Sequence, residues 1–188
     1  MHIEKGKIKK YGPYAPVPIS QYESEFSQLL SLYKKHMKQD SRAMEIGTHY
    51  GGTLYHFLKE APKYSFVLSV DDYHINSHLY EWWVPKDVDF KWIKGKSQDV
   101  KTTKEIKFLG PYDFIFIDGG HSLNDVKQDW LTAFNNINPG GIIAFHDILP
   151  HPNSEVYILW NDIAKHLSTE AYIDNPDQDG CGIGVVFC

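Results

Sequence analysis

The sequence predicts an α/β sandwich built on one mainly parallel sheet. Three observations predict it. Strand-length apolar runs alternate with amphipathic segments of helical period. Two of the runs, "YDFIFID" and "GGIIAFHD", are apolar without alternation, as strands covered on both faces are. Glycine-rich or acidic turns follow the carboxyl ends of the runs, where a helix must start. Right-handed crossovers through the helices follow from this order. With 188 residues, 42% of them hydrophobic, the chain suits one compact domain with its own core.

Taken in order, the lead "YGPYAPVP" is too rich in proline for an element, and residues 21–37 then place Phe26, Leu29, Leu30, Tyr33 and Met37 on one helical face. "RAMEIGTHYGGTLYHFL" reads as a buried strand through Ile46, a glycine turn, and a helix with Leu54, Phe57 and Leu58 aligned until Pro62 stops it. "SFVLSVDD" is a strand ending in two acids, and "DFKWIKGKSQD" a more alternating strand ending in Gly, Ser and Gln. Between the two continuous apolar strands, Ser122 and Asp125 form a capping-box pair, and Leu123, Val126, Trp130, Phe134 and Ile137 make a helical stripe that "NPGG" ends. A last helix carries Val156, Leu159, Trp160, Ile163 and Leu167 on one face, ahead of two terminal strands near 170–173 and 182–187. Trp82 and Trp83 either close the edge of the core or stack on a flat ligand.

A net charge of −5 with interspersed signs leaves no basic stripe and argues against a nucleic-acid surface. The basic cluster "KGKIKK" reads as a solvated N-terminal arm. Cys181 and Cys188 form no metal or disulfide framework, which fits a reducing, cytoplasmic setting. No stretch is apolar enough to span a bilayer, and the start lacks a signal-peptide core, so a soluble, unexported protein is expected.

In parallel sheets ligands bind beyond the carboxyl ends of the strands. Those ends read "EIGTHYGGT", "VDDYHINSH", "GKSQD", "IDGGH" and "FHDILPH". They gather His49, His74, His78, His121, His146 and His151 with Glu45, Asp71, Asp72, Asp118 and Asp147, a concentration that points to a site. Gly47, Gly51 and Gly52 give G-x-x-x-G-G, neither the dinucleotide fingerprint nor a P-loop. With Glu45 before the turn, a ligand bearing an amino or sulfonium group is favoured over a phosphate. Asp71 stands where an acid accepts from ribose hydroxyls in doubly wound folds, the alternative being a cap on the following segment.

The ordered set "MEIGTHYGGT", "SVDD", "GKSQD", "FIFIDGGHSLNDVKQDW" and "NPGGIIAFHD" resembles class I S-adenosylmethionine-dependent methyltransferases, and within them the subgroup of macrolide-sugar O-methyltransferases and cephalosporin hydroxylase-like proteins. The likeness runs from Arg42 to Cys188, leaving residues 1–41 as an arm and helix packed on a methyltransferase-like unit of 42–188. It implies a three-layer, Rossmann-like sandwich with a mostly parallel seven-stranded sheet and a terminal antiparallel strand. It also implies that Glu45 and Gly47 face the methionine part of the cofactor, Asp71 the ribose, Ser97 and Gln98 the adenine, and Asp118 the methyl-transfer end, with Gly51 among the cofactor-binding residues. His49 and Tyr50 depart from the small residues many relatives have in the turn.

Methyl transfer is an in-line displacement, and an acceptor hydroxyl must also lose a proton. A base or a divalent metal serves that need. The resemblance implies a metal such as magnesium at Asp118, His146 and Asp147; without one, His121 or His146 is the base, oriented by Asp147. The expected acceptor is a small molecule or a glycan sugar, and a homo-oligomer is compatible with the chain. Two rivals stand beside this reading: a metal-dependent hydroxylase or hydrolase using Asp118, His146 and Asp147, and a nucleotide-binding domain without chemistry.

Overall fold

The computed structural model describes residues 17–188; the cluster "KGKIKK" and all but the end of "YGPYAPVP" lie outside the described residues. Helix α1 (Glu23–His36) precedes β1 (Arg42–Ile46), α2 (Gly52–Glu60) and β2 (Phe66–Asp71). A single 3-10 turn, Ser77–Leu79, runs into the short α3 (Tyr80–Trp83), followed by β3 (Asp89–Lys94), α4 (Val100–Leu109) and β4 (Tyr112–Ile117). The chain closes with α5 (Leu123–Phe134), β5 (Ile137–His146), α6 (Val156–Ile163), β6 (Thr169–Tyr172) and β7 (Ile183–Phe187).

The seven strands make one sheet in the order β3-β2-β1-β4-β5-β7-β6. Pairing is parallel from β3 to β5, and β7 runs antiparallel to both β5 and β6. Strand order reverses between β1 and β4, which makes their tips the switch point where such sheets bind ligands.

Because successive strand residues face opposite ways, each strand feeds two cores. Met44, Leu68, Ile115 and Phe145 pack with Ile106 of α4, Val126 of α5 and Trp160 of α6. Ala43, Val67, Phe114, Phe116 and Ala144 face the other way, onto Phe26, Leu29 and Tyr33 of α1 and Leu54, Phe57 and Leu58 of α2. This is the expected three-layer, Rossmann-like sandwich. The near-continuous apolar strands are the sequence consequence of burial on both faces.

Three local expectations are corrected. Ile137 is the first residue of β5, paired with Tyr112, and "NPGG" lies inside that strand as an irregularity between the Tyr112 and Phe114 registers. The helix ends at Phe134 because β4 offers a pairing edge before the apolar run begins: Tyr112 N–H donates to the Asn136 carbonyl at 2.8 Å. Leu167 lies beyond α6 and is exposed. Helix α4, which the sequence reading did not single out, supplies the β3-to-β4 crossover. Trp82 and Trp83 part company, at 68% and 4% exposure. Among the described residues no helix is long and apolar enough to cross a membrane.

Candidate active site at the strand tips

The turn after β1 is shaped by what it must pass. A Cβ on Gly47 (φ +88°) would lie 1.9 Å from the Asp118 carbonyl oxygen, so glycine alone lets this turn cross the β4 tip. Gly51 (φ +84°) takes the left-handed conformation that starts α2, and a Cβ there would strike the Trp83 ring at 2.8 Å. Trp83 is thus a wall of the glycine turn, and its burial belongs to the core.

Asp71 holds this turn in place. Its Oδ2 accepts from the Thr48 and His49 backbone N–H groups at 2.6 and 2.7 Å, and its Oδ1 from Tyr73 N–H at 2.6 Å and His74 N–H at 3.4 Å. Burial acts to raise its carboxyl, but these backbone donors outweigh burial and hold it below the ordinary aspartate range. The sequence allowed two roles, ribose acceptor and cap; the cap is formed, with a short backbone hydrogen bond on each carboxylate oxygen.

Glu45 is sequestered. It is 1% exposed, its Oε2 accepts from Thr48 Oγ at 2.8 Å, and its Oε1 accepts from Thr53 Oγ of α2. Burial pushes its carboxyl up to about 8, with the two threonine hydrogen bonds opposing the shift. Glu45 therefore braces the glycine turn against α2.

At the β4 and β5 tips four side chains converge. His146 Nδ1 lies 3.1 Å from Asp118 Oδ1 and 3.3 Å from Asp147 Oδ1, and His121 Nε2 lies 3.0 Å from Asp147 Oδ2. Burial disfavours a charged ring on His146, which is 5% exposed, but Asp118 and Asp147 outweigh it and hold the ring well above the ordinary histidine range. Asp147, which burial alone would raise, is held below the carboxylate range by the His146 charge and by hydrogen bonds from both histidines. The hydrogen bond to Asp147 raises His121 against the effect of burial. Asp147 also carries φ +62°, a conformation few side-chain-bearing residues adopt and one that clusters at functional sites. Asp118, His121 and Asp147 offer ligand atoms within 4.8 Å of one another, and so do His146, Asp147 and Cys181.

Ser97 and Gln98, at the β3 tip, are held from beneath: Ser97 Oγ and Gln98 Nε2 both donate to Asp129 Oδ1 of α5, at 2.6 and 2.8 Å. Burial pushes the Asp129 carboxyl up to about 6, partly offset by those donors. Its Oδ2 has no hydrogen-bond partner among the described residues.

Two residues of this region escaped sequence reading. Asp129 sits three residues after Val126 and four before Ala133, a charge on the apolar stripe of α5, and that misplacement was its signal. Gln21 gave no signal. It reaches across from the segment before α1 and donates from Nε2 to Asp118 Oδ2 at 2.6 Å. Of the other rim histidines, His74 is spent on structure, bonded to Tyr80 Oη at 2.9 Å and the Ile93 carbonyl at 2.8 Å. His49, His78 and His151 stand outside the four-residue cluster.

A family model described as a methyltransferase domain matches residues 44–148, a span holding every residue of the four-residue cluster. No curated protein matches the chain in sequence. Among solved structures the chain is similar to an O-methyltransferase from Streptomyces achromogenes involved in tomaymycin synthesis, in complex with SAM (15% identity, 92% of this chain and 82% of that one, TM-score 0.67). It is similar also to an O-methyltransferase from Bacillus cereus in complex with SAH (15% identity, 92% and 83%, TM-score 0.66). A third is the methyltransferase of the mycinamycin biosynthetic pathway, solved with Mg, SAH and mycinamycin VI (16% identity, TM-score 0.60); 86% of this chain matches 48% of that one. At these identities the likeness is one of fold.

Proposed function

This chain belongs to the methyltransferase-domain family, and on that premise we propose that it moves a methyl group from S-adenosylmethionine to a hydroxyl oxygen of a small molecule or sugar. The observation that carries the reading is the convergence of Asp118, His121, His146 and Asp147 beside the glycine turn, at the switch point of the sheet. When bound, the cofactor supplies an electrophilic methyl carbon; the protein must align an oxygen with it and remove a proton.

His121 is the base of this reading. Its side chain is 49% exposed, so a ligand can reach it, and an Nε2–H donated to Asp147 leaves the lone pair on Nδ1 to take the hydroxyl proton. His146, buried between two acids, serves instead as a fixed positive charge that lets Asp118 and Asp147 lie close together. Asp147 orients both rings.

The residues also fit a divalent cation. Asp118, His121 and Asp147 would hold it, and bound there it would lower the pKa of the acceptor hydroxyl. Two carboxylates with an imidazole suit manganese, iron or zinc as well as magnesium. For the cofactor, we assign the methionine end to the glycine turn at Gly47, the ribose to the Asp71 side and the adenine to Ser97 and Gln98. Gln21, whose Nε2 bonds Asp118, leaves its Oε1 without a donor among the described residues, which supports a donor-bearing ligand near this tip. Glu45 and Gly51 shape the turn. The free thiols of Cys181 and Cys188 support a cytoplasmic location.

Calorimetric titration with S-adenosylmethionine and S-adenosylhomocysteine, with and without magnesium, tests the reading. Saturable micromolar binding is expected, followed by methyl transfer to a hydroxyl compound that His121→Ala reduces about a hundredfold or more. Binding of neither ligand under either condition overturns it.

A further inference from the structure

The segment before α1 passes over the glycine turn. A Cβ on Gly52 would meet the Pro18 carbonyl oxygen at 2.3 Å and the Ile19 side chain at 2.7 Å, so strap and turn touch through backbone. Three residues on, Gln21 is 2% exposed and its amide enters the strand tips. A carboxylate only accepts, so the amide nitrogen must be the end that faces Asp118, as the 2.6 Å Nε2–Oδ2 bond records. Its carbonyl end is then directed elsewhere, and Oε1 has no donor among the described residues. Leaving a buried amide oxygen without a donor costs free energy, which a ligand bringing a donor would recover.

The cofactor read above carries one strong donor near this position, the α-ammonium of its methionine end. The sequence nominated Glu45 to hold it. Glu45 is closed to that role: both of its oxygens accept from threonine hydroxyls and it is buried against α2. Two side-chain acceptors stand at the β4 tip, the Asp118 carboxylate and Gln21 Oε1, and the second has no donor among the described residues.

We infer, resting on the methyl-transfer reading, that Gln21 is a cofactor-binding residue: its Nε2 fixes the Asp118 carboxylate and its Oε1 accepts from the cofactor's α-ammonium group. The segment ahead of the first helix thereby completes the site, and the strap it forms over the glycine turn closes on the amino-acid end of the ligand.

The test compares two ligands on the same protein by calorimetry. S-adenosylhomocysteine carries the ammonium; 5′-methylthioadenosine keeps the adenosine and the sulfur and lacks the amino-acid end. In Gln21→Met, which keeps the length of the side chain and removes both hydrogen-bonding ends, affinity for S-adenosylhomocysteine should fall roughly ten- to a hundredfold. Affinity for 5′-methylthioadenosine should stay within about twofold of the original protein. Thermal melts verify the fold, and Gln21→Asn, one methylene short of Asp118, stands in with the same expected selectivity if the Met variant melts early. Equal losses for the two ligands would make Gln21 a mere fastening of the strap, and no loss for either would make it idle; both results overturn the inference while leaving the methyl-transfer reading intact. Failure of the unaltered protein to bind S-adenosylhomocysteine removes that reading, and the inference with it.

Discussion

Asp71 and Glu45 both fasten the glycine turn, one through backbone donors and the other through threonine hydroxyls. Asp71 gathers four backbone N–H groups, so Asp71→Asn would turn an amide NH2 toward donors and leave at least one of them unsatisfied. The expected loss is about 1–3 kcal/mol of stability in urea unfolding, with weaker S-adenosylhomocysteine binding because the glycine turn loosens. An unchanged midpoint would show that the cap carries no load. For Glu45 the fold favours the protonated carboxyl, raised from 4.5 to about 8 by burial. Its contribution is therefore fully present below the unfolded value and lost as pH rises through about 8. Glu45→Gln is neutral throughout and can still pair with both threonines, so the variant should melt near the original protein at pH 5 and above it at pH 9. Parallel melting curves across that range would sink the argument.

At the scale of elements, α1 does more than cover the sheet. Glu25, fully buried, accepts from Asp174 N–H at 3.1 Å, Gln178 Nε2 at 2.6 Å and Gly182 N–H at 3.2 Å, which pins the loop between β6 and β7 to the helix. That loop carries Cys181 to within 4.8 Å of ligand atoms on His146 and Asp147. Glu25→Ala should cost about 2–4 kcal/mol and speed amide exchange through residues 174–182 by more than through β4. Uniform acceleration across the molecule would instead mean simple global destabilisation. The element boundaries that sequence reading missed have one cause. The helical stripe of α5 runs on in sequence through Phe134 to Ile137, but the free edge of β4 competes for Ile137 and wins, since pairing there satisfies backbone groups that a longer helix would leave facing the sheet.

For the whole molecule, ligand binding at the switch point joins elements from both halves of the sheet, so it should stabilise the fold as a unit. At a hundredfold excess over Kd, S-adenosylhomocysteine should add about 2.7 kcal/mol, a rise of roughly 5–10 °C in Tm for a chain of this size. No shift at saturating ligand would contradict binding to the folded state. The sandwich itself was legible from the chain, because burial on two faces forces continuous apolar strands and burial on one face forces the helical stripes. The candidate site was legible as a rim, because polar residues gathered at the carboxyl ends of buried strands stand where such sheets bind ligands. Sequence determined which residues stand at the strand tips, Glu45, Asp71, Asp118, His121, His146 and Asp147 among them. Tertiary structure alone decided what holds each of them: Glu45 is bonded by Thr48 and Thr53, Asp71 by the turn it caps, and Asp118 by a glutamine 97 positions away. Hydrogen-bond partners of that kind depend on distance in space, and nothing in the local pattern of a chain encodes it.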